Sequence, residues 1–315
     1  MLKYIVQRLL FLVPIIVLST MFAFLFLNMS AISPAEIMVR SQMIGDNPTP
    51  EQMQAFHRRH GTDKPVVQQY WNWLSNAIRG DMGISWKQEE RITPQYMQKL
   101  GATVQLFLAG QLVLMLIAIP LGVLAAMKPN SLADHLCSLL SSLSIALPSF
   151  WIAMLLLYIF ALSLNLLPSF GYRSPVNIIL PALTLGISGC GGLMKITRTS
   201  VLEVKDMNYV RTAVSKGLSK RRVLTRHILK NSFIPILTAI GMSMTHMLSG
   251  TVIIENIFAW PGIGRYFITA ANTRDLPIVM GYIFYTAVFL VVINLIIDFI
   301  YMFLDPKINY RKKEQ

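Results

Sequence analysis

Four side chains able to hold or move an ion lie inside apolar runs: Cys190, Met242, His246 and Asp298. Met242 and His246 are four residues apart, which a helix places on one face. With Cys190 and Met194 they would offer soft sulfur and imidazole ligands along a translocation path for a metal. Asp298 is an ionisable group in an apolar segment, a placement that by default marks a functional candidate. Each has a plainer reading. Methionine, present 18 times, fills irregular gaps between packed helices, and Asp298 can pair with a neighbouring helix or a backbone group. Packing is the favoured reading for all four, and no firm metal site is assigned. A metal that crosses as a chelate needs no direct ligand. Covalent chemistry has no candidate residues. The chain contains no G-x-x-x-x-G-K-S/T, no G-x-S-x-G and no H-E-x-x-H. It is expected to be non-catalytic, with no cofactor of its own, and any ATP-driven work would have to come from a separate subunit.

The elements that must position these residues are membrane spans. Of 315 residues, 54% are hydrophobic and 14% charged, against about 25% charged in a soluble domain. Apolar runs of about 18 residues or more recur, the mark of a polytopic membrane protein. Six spans are expected, over 9–27, 104–127, 136–164, 178–194, 233–254 and 278–304. Pro148 falls mid-span in the third, and Gly186, Gly189, Gly191 and Gly192 in the fourth allow close helix approach. The N-terminal run MLKYIVQRLLFLVPIIV has a basic start and an apolar core, but no small-x-small site follows before Asn28, so it reads as an uncleaved first span. Cys137 and Cys190 lack a C-x-x-C partner, which argues against a disulfide framework or structural zinc.

The expected organisation is an N-terminus and first span over 1–28, an extracytoplasmic loop domain over 29–100, a transmembrane core over 101–304 and a tail over 305–315. The loop domain has its own helix signals. Thr49-Pro50-Glu51-Gln52 reads as an N-cap, a first-turn proline and a capping-box Gln, with a helix to about His60 and a stop at Gly61. After Pro65, Val66, Tyr70, Leu74 and Ile78 recur at i+4 as an apolar stripe. Trp71, Trp73 and Trp86 suit a membrane interface. The domain reads as a cap packed on the bundle, part of which could meet a solute-binding partner.

The net charge of +13 raises the question of nucleic acid, but the basic residues cluster in loops beside apolar runs, as the positive-inside bias requires. Seventeen Lys/Arg fall with the termini, the 128–135 loop and the 195–231 segment, and three on the short loops opposite. Both termini and 195–231 are therefore expected in the cytoplasm, where anionic membrane lipid is one neighbour for the basic residues. No nucleic-acid partner is expected.

Segment 195–231 carries the most specific pattern. Tyr209-Val210-Arg211-Thr212-Ala213 is followed by Gly217-Leu218-Ser219, then by Arg226-His227-Ile228-Leu229-Lys230-Asn231 and Ile234-Pro235. This resembles the Glu-Ala-Ala cytoplasmic loop of binding-protein-dependent ABC importer permeases. Arg211-Thr212-Ala213 stands where Glu-Ala-Ala would be, and Gly217 holds the glycine, the form associated with the peptide/nickel branch. Further segments agree with that branch: Gln69-Tyr70-x-x-Trp73-Leu74, Gly80-Asp81-x-Gly83-x-Ser85, Ile254-Glu255-x-x-Phe258-x-Trp260-Pro261-Gly262-x-Gly264-Arg265, Arg274-Asp275-x-Pro277 and Asn294-x-x-x-Asp298-x-x-Tyr301.

The resemblance implies an all-α, six-span type I ABC importer permease in a bacterial cytoplasmic (inner) membrane. It implies as partners a second homologous permease chain, two cytoplasmic ATPase subunits and an extracytoplasmic solute-binding protein. Loop 205–222, with Tyr209, Arg211, Thr212, Ala213, Gly217 and Leu218, would dock in the ATPase. The 253–266 run looks closest to nickel permeases, so nickel or a nickel chelate is the expected cargo and dipeptides or oligopeptides the alternative. An ion-gradient-driven secondary transporter is the alternative class. It would want paired acids or histidines at mid-membrane.

Overall fold

The computed structural model describes residues 2–29, 33–42 and 48–304, with side chains at 10, 13–29, 33–40 and 48–300. The expected tail at 305–315 lies outside the described residues. Among the described residues thirteen α-helices follow in order: α1 (Leu2–Asn28), α2 (Pro34–Gln42), α3 (Pro50–His60), α4 (Val66–Ile78), α5 (Ile92–Met127), α6 (Leu132–Ala146), α7 (Ser149–Leu156), α8 (Ile179–Lys205), α9 (Asn208–Ser215), α10 (Lys220–Arg222), α11 (Lys230–Ile257), α12 (Ile263–Asn272) and α13 (Leu276–Leu304). A π-helical turn, Leu157–Ser163, prolongs α7. A second, Val223–Leu229, leads from α10 into α11.

Among the described residues, Ile92–Met127, Pro175–Lys205, Lys220–Ile257 and Leu276–Ile300 are each long and apolar enough to cross a membrane. The pair α6 and α7 adds a fifth crossing if taken as one span. In α1 the stretch Val13–Asn28 is apolar and shorter. The expected third span is thus not a straight helix. It bends by 109° between Ala146 and Ser149. Pro148 has no N–H to continue the ladder and pushes the residue before it out of the helical region, and Leu147 indeed sits at φ −84°, ψ 129°.

The chain divides into two compact units. The first comprises residues 1–103 and 261–295. Here α3 begins with the expected capping box: the Gln52 amide donates to Thr49 Oγ1 at 3.4 Å and the Thr49 amide to Gln52 Oε1 at 2.8 Å. It ends at Gly61, φ +67°. In α4, Tyr70, Leu74 and Ala77 are buried, whereas Ile78 is 71% exposed. The expected stripe ran at i+4, which advances 40° per step on a helix of 3.6 residues per turn. By the third step it has left the core face, and Ala77 takes the place. Trp86 is buried against Phe24, Met38 and Leu276, Trp73 is partly buried, and Trp71 is exposed. The buried Asp275 carboxylate holds the 85–87 turn, accepting from Ser85 Oγ at 2.6 Å and from the Trp86 and Lys87 amides at 3.2 Å each.

The second unit comprises residues 104–260 and the described residues from 296 on. Its centre is α8, packed on α6 and α11. At the α6–α8 seam, a Cβ on Gly191 would run into the Ser141 carbonyl oxygen, so only glycine permits this approach. The seam is also hydrogen-bonded: Ser141 Oγ donates to Gly191 O at 2.7 Å and Ser144 Oγ to Ile187 O at 2.7 Å. Small residues with hydroxyl bonds across the gap are how helices hold together without a hydrophobic drive in lipid. Gly186 is crowded on another side, by Val113 and the Leu114 backbone of α5, Gly189 meets only the flexible end of Leu114, and Gly192 faces open space.

Candidate functional site

The most elaborated surface is the segment from the end of α8 to the start of α11. It contains Tyr209, Arg211, Thr212, Ala213, Gly217 and Leu218. α8 runs on to Lys205, well past the expected end of the fourth span, and at that end Lys205 Nζ donates to the Ala126 and Met127 carbonyls at 3.2 and 3.5 Å. These are last-turn carbonyls of α5, where a cation is favoured. The short helix α9 follows after Met207, which is extended at ψ 143°.

α9 is split into two faces. Val210 and Ala213, three residues apart, are buried with Ala126, Val201, Val223 and Ile228, and Leu218 packs against the same cluster. Arg211 and Thr212 are exposed, as is Tyr209 at 44%. The helix closes in a complete Schellman motif. The Leu218 amide donates to Ala213 O at 3.3 Å and the Gly217 amide to Val214 O at 2.9 Å. Gly217 takes φ +77°, and Leu218 supplies the apolar contact that accompanies this cap. A Cβ at Gly217 would meet nothing within 4 Å, so it is the backbone conformation that requires glycine there, not crowding. Beyond it Lys220, Arg221 and Arg222 are exposed. The segment is thus a knob with an apolar underside packed on the bundle and an exposed upper face of Tyr209, Arg211, Thr212 and Lys216.

A second feature had no signal in the sequence beyond its charges. Asp134 in α6 accepts from Arg198 in α8 at 2.6 Å (Nε) and 2.8 Å (Nη2), and from the Asn130 amide at 2.9 Å. The residues are 64 positions apart, so no periodicity links them. A bidentate guanidinium pair fixes orientation as well as distance.

The four path candidates do not form one cluster. Cys190 is buried at the α6–α8 seam, its Sγ 3.2 Å from Ile187 O and 3.6 Å from Ser144 Oγ, and Met194 is buried on the same helix. Met242 is 59% exposed and His246 is exposed, both on α11. Asp298 is half-buried in α13. Among the described residues no three His, Cys, Asp or Glu side chains stand together as metal ligands.

Comparison with known proteins places this arrangement. Residues 118–310 match the family described as "Binding-protein-dependent transport system inner membrane component", and residues 1–107 match its N-terminal companion, "Binding-prot-dependent transport system membrane comp, N-term". The chain is 31% identical to the dipeptide transport system permease protein DppB of Alkalihalophilus pseudofirmus, over 98% of this chain and 100% of that one. It is 32% identical to the oligopeptide transport system permease protein AppB of Bacillus subtilis, with 98% and 100% covered. Against the glutathione transport system permease protein GsiC of Escherichia coli O6:H1 identity is 30%, with 99% and 100% covered. In fold it is similar to the inward-facing MetNI methionine ABC transporter, with a TM-score of 0.53 and 13% identity over 67% of this chain and 96% of that one. An amino acid ABC transporter with histidines gives 0.52 and 16%, over 72% and 96%. The helical, membrane-embedded chain belongs to the binding-protein-dependent transport system inner membrane component family, the permease subunits of ABC importers.

Proposed function

We propose that this chain is the permease subunit of an ATP-driven importer of short peptides. It would work with a second related permease chain, two ATPase subunits that bind ATP and Mg2+, and an extracytoplasmic solute-binding protein. The observation that carries the cargo is the set of relatives named for dipeptides, oligopeptides and glutathione, each similar along the full length. They support peptides over the nickel or nickel chelate that the 253–266 run suggested.

In this reading six crossings keep both termini and the α9 knob in the cytoplasm, and residues 29–100 form the extracytoplasmic domain. ATP binding closes the motors, the docked 205–222 segment moves with them, and the bundle changes its opening from outside to inside. Tyr209, Arg211 and Thr212 contact the ATPase, while Ala213, Gly217 and Leu218 hold the knob to the bundle so that it transmits force.

The test is uptake by the intact reconstituted complex of a labelled dipeptide and, separately, of radiolabelled nickel. ATP-dependent dipeptide accumulation is expected. Nickel uptake without dipeptide uptake would overturn the cargo. Uptake that persists without the ATPases and collapses with an uncoupler would return the chain to the ion-gradient class.

A further inference from the structure

A cavity of about 500 Å3 lies within the first unit, among α3, α4, the 81–86 turn and the start of α13. Small-molecule sites run to roughly 300–1,000 Å3 and join an apolar floor to a few convergent polar groups. The floor here includes Phe24, Trp73, Trp86 and Met280. One wall is a face of α4. Gln69, Asn72 and Asn76 recur at i, i+3 and i+7 and all line the cavity, while Tyr70, Leu74 and Ala77 turn into the core. Gln69 Nε2 already donates to the Lys64 carbonyl at 2.7 Å and the Thr62 carbonyl at 3.2 Å, which leaves Asn72 and Asn76 as paired donors and acceptors.

The end of α3 and the turn into α4 supply the charge. Arg58 and Lys64 line the cavity, and neither has an ion-pair partner among the described residues. Arg59 is already engaged, its Nη1 2.7 Å from Glu89. Asp81 is the acid on the lining, and its Oδ1 accepts from the Gly83 amide at 2.9 Å. Trp73 contributes its ring to the floor, while its Nε1 is closed off from the cavity.

We propose that this cavity binds the carboxylate end of a short peptide. Arg58 and Lys64 take the carboxylate as charge-assisted hydrogen bonds. Asn72 and Asn76 pair with the peptide amides. A phospholipid head group would satisfy the cations but brings no amides to the carboxamide stripe, which is why the peptide is favoured. The inference rests on the peptide reading of the cargo.

The test is equilibrium binding of radiolabelled alanyl-alanine to the whole transporter in nanodiscs, with the solute-binding protein left out. Saturable binding is expected, competed by unlabelled dipeptide and not by its C-terminal amide. Arg58→Gln with Lys64→Gln should weaken it at least ten-fold, as should Asn72→Ala with Asn76→Ala. All four side chains are exposed, so these variants retain the fold. Equal competition by the amide, wild-type affinity in both double variants, or no saturable binding would each overturn the site. Loss of binding when phosphatidylglycerol is added to the nanodiscs would overturn it in favour of a lipid head group. If dipeptide is transported while the site fails these tests, the site falls and the peptide reading stands. If nickel alone is transported, the peptide reading is what fails.

Discussion

Asp134 and Arg198 show how much one pair of side chains can fix. The Asp134 side chain is 6% exposed and that of Arg198 34%. Removing one partner of a fully buried pair costs roughly 3–5 kcal/mol. Because Arg198 keeps a third of its side chain in solvent, Asp134→Asn is expected to cost about 2 kcal/mol, read as a lower melting temperature of the detergent-purified protein. His60 offers a titration. Burial, and after it the charge of Arg59, hold its imidazole below the usual 6.5, while Glu89 and Asp275 pull the other way. The folded state thus favours the neutral ring. Its contribution is complete above the unfolded pKa near 6.5 and is lost as pH falls below that value toward the depressed folded pKa. Hydrogen exchange at α3 and α4, corrected for intrinsic rates, should therefore accelerate between pH 7 and pH 5. His60→Phe, which keeps a ring against Phe56 and Trp86, should flatten that dependence. Single residues were also where the sequence was least informative. The Asp134 partner sits 64 positions away, and nothing local distinguishes an acid that finds a guanidinium from one left in a loop.

Elements built from neighbours in sequence were far more legible. The α3 caps, the Gly61 stop and the Gly217 stop depend on three to six consecutive residues, so composition alone announces them. The α4 stripe was legible to its last turn, where the i+4 approximation drifted from Ala77 to Ile78. The 109° bend between α6 and α7 was half legible: Pro148 marked the place, but its angle depends on how each half packs. Two glycines separate the two reasons an element needs one. At Gly191 the obstacle is the Ser141 carbonyl, so Gly191→Ala should lower the melting temperature by several degrees, with a cost of about 1–3 kcal/mol for overpacking. Gly192→Ala, whose Cβ meets nothing, should leave it unchanged. At Gly217 the space is open and only the left-handed backbone objects, at roughly 1–2 kcal/mol for any other residue. Gly217→Trp should therefore leave the subunit in the membrane and abolish co-purification of the ATPase, because the bulk is met by the partner. Normal assembly and transport in that variant would refute docking at this knob.

For the whole molecule, the charge bias and the apolar runs made a multi-pass membrane protein legible, and the loop pattern its family. Cargo was not legible. The residues that could have signalled a metal, Cys190, Met242 and His246, divide between a buried seam and an exposed helix face. The long polar excursion after α1 could be read as a domain, but not as a domain with a cavity, since the walls come from helices, a turn and the return of the chain at Leu276. The bend at Pro148 has one more consequence, for handedness of insertion. Counted as a single crossing, α6 and α7 give an even number of passages between the N-terminus and α9, and both face the same compartment. Folded back as a hairpin that enters and leaves one leaflet, the same residues would make the number odd and turn the α9 knob outward. Cysteines placed at Lys3 and at Lys216 should thus react with an impermeant maleimide only from the cytoplasmic side. That one joint sets the parity of the polypeptide, and with it the side of the membrane on which the exposed face of α9 stands.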